Sequence, residues 1–303
     1  MLQYRILDNK IYPQQDVELV GFSKNQDYPV LENPEKVLIF RTALGVGDWV
    51  MLERLPAAIK KYYPKCEVYL PSPKMIAETF GPLMHQWASW GDVSKTVELV
   101  FKNNPYVDGY VDTWEGEVYS DHWRIFDETN WKTPLVRQMA RFYNIDDDKE
   151  LDYTPMIYFS EDDIRTGITN INELSGQHTD YNFIHISNRN TGDDNKILLD
   201  YIKKNKLDEL PFLYYYKGDI QETIFKELRL LNNIENIKDI RSQFFIKSKA
   251  KNCIGNQTGA MDVVCGLTKV HALHHSETLY ETFRVGNYLP PQSYIKRAQD
   301  EQN

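Results

Sequence analysis

A single carboxylate, Asp48, stands directly behind two glycines, Gly45 and Gly47, in the stretch 37–55, VLIFRTALGVGDWVMLERL. An acid at the junction of a strand and a helix has two uses. It can accept the amides of the first helical turn, or it can project into a cleft and take a proton from an attacking hydroxyl. The glycines would clear space for the second use, and the residue types leave both open. The turn is not a dinucleotide fingerprint, because Val50 occupies the place of a third glycine.

Two further groups have the chemistry of anion binding. In 185–192, HISNRNTG, an apolar strand runs into a polar loop. Arg189 offers a fork of donors there, and Lys196 just beyond offers a point charge. An ordinary polar loop has the same composition, and His185 by itself reads as a structural imidazole. In 255–260, GNQTGA, Thr258 and Gly259 place a hydroxyl and unencumbered amides at a helix start, a site where diphosphate can be held without a metal. A plain glycine-rich helix start fits these residues equally well. Asp262, one turn further in, reads as a favourable first-turn acid whose charge would oppose a phosphate. His271, His274, His275 and Glu277 crowd one region, but alternate strand residues face opposite ways, so structural or surface roles are expected rather than a metal site. Asp108, Asp112 and Asp121 are candidate acceptor contacts.

The elements that must position these groups alternate between strand and helix. VLIF is a buried strand, and 49–63 is a helix carrying Leu52, Leu55, Ile59 and Tyr62, kinked at Pro56. CEVYL is the second strand and 73–80 a helix. VELVF at 97–101 and 106–112 are expected as strands, 114–128 as an aromatic and charged loop, and 134–143 as a helix. The acidic run NIDDDKELD, 144–152, breaks the periodicity and marks a domain boundary. Beyond it come a helix over 161–174 capped by Ser160, the strand YNFIHIS, a helix over 197–203 and the strand PFLYYYKG. Helices over 221–231 and 242–250, the strand NCIG, a helix from 258 and the strand KVHAL complete the pattern. This order predicts an N-terminal extension over 1–36 and two α/β domains, 37–150 and 151–303, each with a parallel sheet.

The chain of 303 residues is long enough for two such domains. Its net charge of −9 argues against a long nucleic-acid footprint, although a local basic cleft would still admit one. Twenty tyrosines make sugar stacking available, and cores and interfaces also use them. Three cysteines without C-x-x-C spacing fit buried thiols in a reducing compartment. No apolar run approaches the roughly 18 residues of a membrane span, and the polar start MLQYRILDNKIY is not a leader, so a cytoplasmic protein is expected.

Taken in order, these stretches resemble the lipopolysaccharide heptosyltransferase family, glycosyltransferases of GT-B architecture with two facing Rossmann-like domains. FRTALGVGDWVMLERLPAAIKKYYPKCEVYL resembles that family's opening strand, glycine-aspartate turn, helix ending in Tyr-Pro, and second strand. NPYVDGYV resembles its Asn-Pro-x-x-Asp segment, and PMIYFSEDD the start of its second domain. CIGNQTGAMDVVCGLTKV resembles its Gly-x-Asp-Thr-Gly-x-x-His stretch.

The resemblance implies that Asp48 is the catalytic base and that Thr258 and Gly259 bind phosphate. It also implies that Lys196 meets the diphosphate and that Glu222 lies near the nucleoside. Two positions depart from the pattern: Gln257 replaces the family's Asp before Thr-Gly, and Asp262 replaces its His. The function expected is an inverting, metal-independent transfer of a sugar from a nucleotide-diphosphate donor to the hydroxyl of a glycan or other acceptor. The donor is a substrate, and no cofactor is expected. A nucleotide-sugar or glycan-binding protein without activity, a nucleotide-sugar epimerase, and sugar transfer onto a nucleic-acid base are the alternatives. Oligomeric state is not encoded in any motif.

Overall fold

The computed structural model describes residues 5–7, 10–12, 33–41, 45–80, 92–115, 118–121, 136–137, 140, 143–145, 151–187, 190–273 and 294–295. The chain divides into two compact units, Met1–Tyr153 and Thr154–Asn303, just after the acidic run. A short antiparallel hairpin, β1 (Arg5–Leu7) with β2 (Lys10–Tyr12), precedes the main sheet of the first unit.

That sheet contains β3 (Lys36–Arg41), β4 (Glu67–Pro71), β5 (Gly109–Val111) and β6 (Val118–Asp121) in the order β5-β4-β3-β6, all parallel. Val37, Leu38, Ile39 and Phe40 are all buried, as a central parallel strand covered on both faces requires. Between β3 and β4 the expected kinked helix is two helices, α1 (Val46–Val50) and α2 (Leu55–Tyr62). Pro56 sits in the first turn of α2, where its missing amide costs no hydrogen bond, so it starts a new helix instead of bending an old one.

After β4 comes α3 (Pro73–Phe80). The stretch VELVF is not a strand but α4 (Thr96–Phe101). The Asp92 carboxylate caps the 3-10 turn Val93–Lys95 by accepting the Ser94 amide at 3.1 Å, and the turn feeds the helix. Val97, Val100 and Phe101 then fall on one buried helical face. The aromatic region 114–128 contributes β6 as an edge strand beside β3.

The second unit opens with α5 (Glu161–Ser175), whose cap is reciprocal: Ser160 Oγ accepts the Asp163 amide and the Asp163 carboxylate accepts the Ser160 amide. The strands β7 (Asn182–His185), β8 (Phe212–Tyr215), β9 (Leu230–Asn233), β10 (Asn252–Asn256), β11 (Lys269–Leu273) and β12 (Tyr294–Ile295) form one sheet, ordered β12-β11-β10-β7-β8-β9 and parallel throughout. Its helices include α6 (Gly192–Lys204), α7 (Ile240–Lys249) and the single-turn α8 (Gly259–Asp262).

The helix expected over 221–231 is absent. Asp219 caps Gln221 and Thr223 caps Phe225, and these local bonds hold two 3-10 turns, Ile220–Glu222 and Ile224–Glu227, before β9. Under the sheet, α5 and α7 meet closely, and Phe245 lies where a Cβ on Gly167 would stand. Arg241 bridges the two helices, pairing with Asp163 at 3.0 Å and donating to the Tyr158 carbonyl. Among the described residues, no helix is long and apolar enough to cross a membrane.

Candidate functional site

Each sheet reverses its strand order once. In the first unit, β3 lies between the earlier-completed β4 side and β6; in the second, β7 and β10 are neighbours while the chain runs outward from β7 through β8 to β9 and from β10 through β11 to β12. The second order is the 3-2-1-4-5-6 pattern of a Rossmann sheet. Ligands of open α/β sheets bind at the carboxyl ends of the strands, at such a reversal. Asp48 follows the first reversal strand, β3, and the loop 257–259 follows β10 at the second.

Asp48 is half-buried, anchored by the buried Val46, Trp49 and Val50 around it. Trp49 packs edge-on against Phe101 of α4, with ring centroids 6.3 Å apart, which fixes the short helix and hence the acid. The Asp48 carboxylate accepts the Gly45 amide at 3.2 Å, and the Asp48 amide donates to the Gly45 carbonyl at 3.1 Å. The acid therefore caps its own turn. A Cβ on Gly45 would stand 2.7 Å from Asp48 Oδ2, so the glycine is what gives the carboxylate its place. Capping uses one direction of approach to Oδ2.

In the second unit, the parallel sheet puts every strand's carboxyl end at one edge. Lys196 follows β7, Glu222 follows β8, and Gln257, Thr258 and Gly259 follow β10. Lys196 is not in the loop but exposed in the second turn of α6, because Thr191 and Asp194 cap that helix reciprocally and start it at Gly192. Glu222 is exposed on the first 3-10 turn. Arg189 lies outside the described residues. At this edge, buried polar atoms meet no hydrogen-bond partner among the described residues: Asn256 Nδ2 and Oδ1, Thr258 Oγ1, Asp262 Oδ1 and His185 Nδ1. Native interiors rarely leave such atoms unsatisfied, so a group of them calls for ordered water, an ion or a ligand.

His185 stacks flat on Tyr215, centroids 4.9 Å apart, and burial together with the nearby Lys247 charge holds its imidazole well below the usual range, hence neutral. Lys247 is 1% exposed. Its ammonium donates to the Ala260 carbonyl at 3.2 Å and lies over the rings of Phe183, Tyr215 and Phe244 at 5.4, 5.8 and 5.9 Å. Burial lowers its pKa to about 8. Lys247 thus ties α7 to the turn that follows Thr258, a role no sequence spacing announced.

Gly255 is required for a different reason from Gly45. Its strand neighbour approaches so closely that a Cβ would stand 2.5 Å from the His185 carbonyl oxygen. The other sequence candidates are occupied structurally. Asp108 accepts Lys60 Nζ and the Val68 amide, both at 2.6 Å. Asp112 accepts Ser72 Oγ at 2.6 Å and Lys74 Nζ at 3.4 Å. The Asp121 side chain lies outside the described residues.

His271 has both nitrogens engaged: Asn252 Nδ2 donates to Asn182 at 2.9 Å, which leaves Asn252 Oδ1 to accept His271 Nε2 at 3.1 Å and directs the Tyr201 hydroxyl to Nδ1 at 2.8 Å. That ring is a structural member of a polar chain, not a free ligand. His274, His275 and Glu277 lie outside the described residues, and among the described residues no three His, Cys, Asp or Glu side chains group as a metal site.

The structure of a glycosyl transferase family 9 protein from Veillonella parvula matches over 90% of this chain and 89% of its own, with a TM-score of 0.61 and 10% identity. The chain shares its fold with that protein. E. coli ADP-heptose lipopolysaccharide heptosyltransferase II matches with a TM-score of 0.45 and 14% identity over 86% of this chain and 92% of that one. An iron-containing dodecameric glycosyltransferase, TibC from enterotoxigenic E. coli H10407, matches with a TM-score of 0.44 and 11% identity over 87% of this chain and 63% of that one. No family model matches the sequence, and comparison with curated proteins gives no match. The similarity of fold agrees with the heptosyltransferase-like resemblance read from the sequence motifs.

Proposed function

We propose that this chain is an inverting glycosyltransferase that moves a sugar from a nucleotide-diphosphate donor to an acceptor hydroxyl. In this reading the first unit supplies the acceptor side and the second the donor side. The acceptor hydroxyl attacks the anomeric carbon while Asp48 takes its proton. The bond from that carbon to the diphosphate oxygen breaks, and the nucleoside diphosphate leaves with its negative charge. Thr258 Oγ, the Gly259 amide, Lys196 and Arg189 meet that charge, and Glu222 and Gln257 complete the donor side. Groups already oriented before the reaction stabilise developing charge without reorganising, which is the largest contribution expected in such a site. No step is assigned to a metal ion.

The observation that carries the reading is the coincidence of the acid and the unsatisfied polar group with the switch points of two parallel sheets, in a fold shared with a glycosyltransferase. The buried free thiols of Cys66, Cys253 and Cys265 support a reducing, cytoplasmic setting. The test is a thermal-shift panel of nucleoside diphosphates and their sugar conjugates, since a ligand selective for the folded state raises its melting temperature. A selective shift is expected, followed by acceptor-dependent release of nucleoside diphosphate. No shift from any member would overturn donor binding; a shift with no release across glycan acceptors would leave a binding protein. Donor conversion without any acceptor would point to an epimerase.

A further inference from the structure

Asp262 is only 4% exposed, yet its carboxyl has almost no support. Oδ2 reaches back along the short α8 to Gln257 Nε2 at 3.4 Å, a long contact, and Oδ1 meets no partner among the described residues. Beside it in the chain, the Asn256 amide, 1% exposed, is unpartnered at both atoms, as is Thr258 Oγ1. An ionised carboxylate in such a place would lack the donors it needs, whereas a carboxylic acid brings a donor of its own. Burial pushes the Asp262 carboxyl up to about 7 against the weak pull of Gln257.

The strands packed against α8 are β10 and β11. Their titratable groups are Cys253, whose thiol burial pushes up to about 12, His271, which burial and Lys269 lower to about 4, and Lys269 itself, exposed at the start of β11. Cys265, just beyond α8, is held well above the usual thiol range by burial and by Asp262. Between pH 6 and 8.5, Asp262 and Lys247 are therefore the groups here that change charge.

We propose that Asp262 is a donor-binding residue that works as a neutral acid, giving its O–H to a phosphate oxygen of the nucleotide sugar, so that donor binding is linked to proton uptake. The proposal rests on the reading of 256–262 as the donor loop. It also turns the residue whose negative charge would repel a phosphate into one that attracts it. The Asn256 amide and the Thr258 hydroxyl supply the neighbouring polar contacts. No bond to phosphorus forms; the proton stays on Asp262 and is shared with the phosphate oxygen.

The test is isothermal titration of the protein with ADP-glucose, UDP-glucose and GDP-mannose, whose diphosphate diesters keep a constant charge between pH 6 and 8.5. If Asp262 must be protonated in the complex, the affinity of the probe that binds falls about 30-fold from pH 6 to 8.5. Heats measured at pH 7.5 in HEPES and in Tris then reveal uptake of roughly 0.8 proton. Asp262→Asn, whose amide donates without titrating, is expected to bind at least as well as wild type at pH 8.5, with most of that slope and uptake gone. Lys247 is unchanged in the variant, so the difference between the two proteins isolates Asp262.

A wild-type affinity flat with pH, or no proton uptake, overturns the inference without needing any variant, while the donor-site reading stands. Equal slope and uptake in Asp262→Asn overturn it as well. Failure of all three probes to bind wild type at every pH removes the donor-site reading and the inference together.

Discussion

Replacing Asp48 by Asn separates the capping role that the structure shows from the general-base role proposed for the same side chain. The cap is a single 3.2 Å bond from the Gly45 amide, and the Asn carbonyl can accept the same bond. Weakening the attraction of a negative charge for the first turn of a five-residue helix costs about 1 kcal/mol. Loss of a general base lowers transfer by about 10²–10⁴-fold, equivalent to roughly 3–5.5 kcal/mol of activation free energy.

Gly45→Ala approaches the same acid from the other side. Its Cβ, 2.7 Å from Asp48 Oδ2, forces the carboxylate to move several tenths of an ångström while leaving its chemistry intact. A displacement of about 1 Å in a catalytic group can cost 10²-fold, so a loss of roughly tenfold is expected. Both variants are assayed as acceptor-dependent release of nucleoside diphosphate, with chemical denaturation alongside. Transfer by Asp48→Asn within threefold of wild type would refute the general-base assignment. So would a loss of stability large enough to account for the loss of activity.

Gly259→Val is expected to weaken nucleotide-sugar binding at least tenfold by calorimetry, because a branched side chain blocks close approach to the backbone; unchanged affinity removes the phosphate from this loop. Asp163→Ala leaves the Arg241 guanidinium buried without its carboxylate and is expected to cost about 3–5 kcal/mol in urea denaturation. Burial alone would raise the Asp163 carboxyl, but the Ser160 amide and Arg241 hold it below the usual range. Its contribution is therefore present above the unfolded value of about 3.9 and lost as pH falls through the lower folded value, so wild type and variant should converge in stability under strong acid. Dialysis against EDTA is expected to leave transfer unchanged; loss restored by added metal would reassign how the leaving diphosphate is stabilised.

The order of strands and turns was more legible in the sequence than the type of several short elements. The run VLIF followed by Gly45, Gly47 and Asp48 announced a strand, a turn and an acid, and each is present. VELVF misled because a short apolar run fits a buried strand and a buried helix equally; Asp92, one turn upstream, was the deciding signal. The stretch 221–231 misled because Thr223 and Asp219 compete locally for backbone amides, which an apolar pattern does not show. Lys247 is not singled out in the sequence, and Asp262 reads there as a first-turn acid standing where the family has His, with no sign of its burial. Their burial follows from α7 and α8 packing on a sheet assembled from strands far apart in sequence, and only that assembly changes their charge.

The missing carbon at position 255 has a bearing on redesign. With the His185 carbonyl 2.5 Å from where a methyl group would sit, β7 and β10 run too close at this point to admit any side chain, so position 255, just before the proposed donor loop, has to stay glycine. Substitutions that probe the proposed donor side should therefore leave this glycine untouched and work at exposed positions such as Glu222 and Lys196, where a new side chain does not pry two neighbouring strands apart.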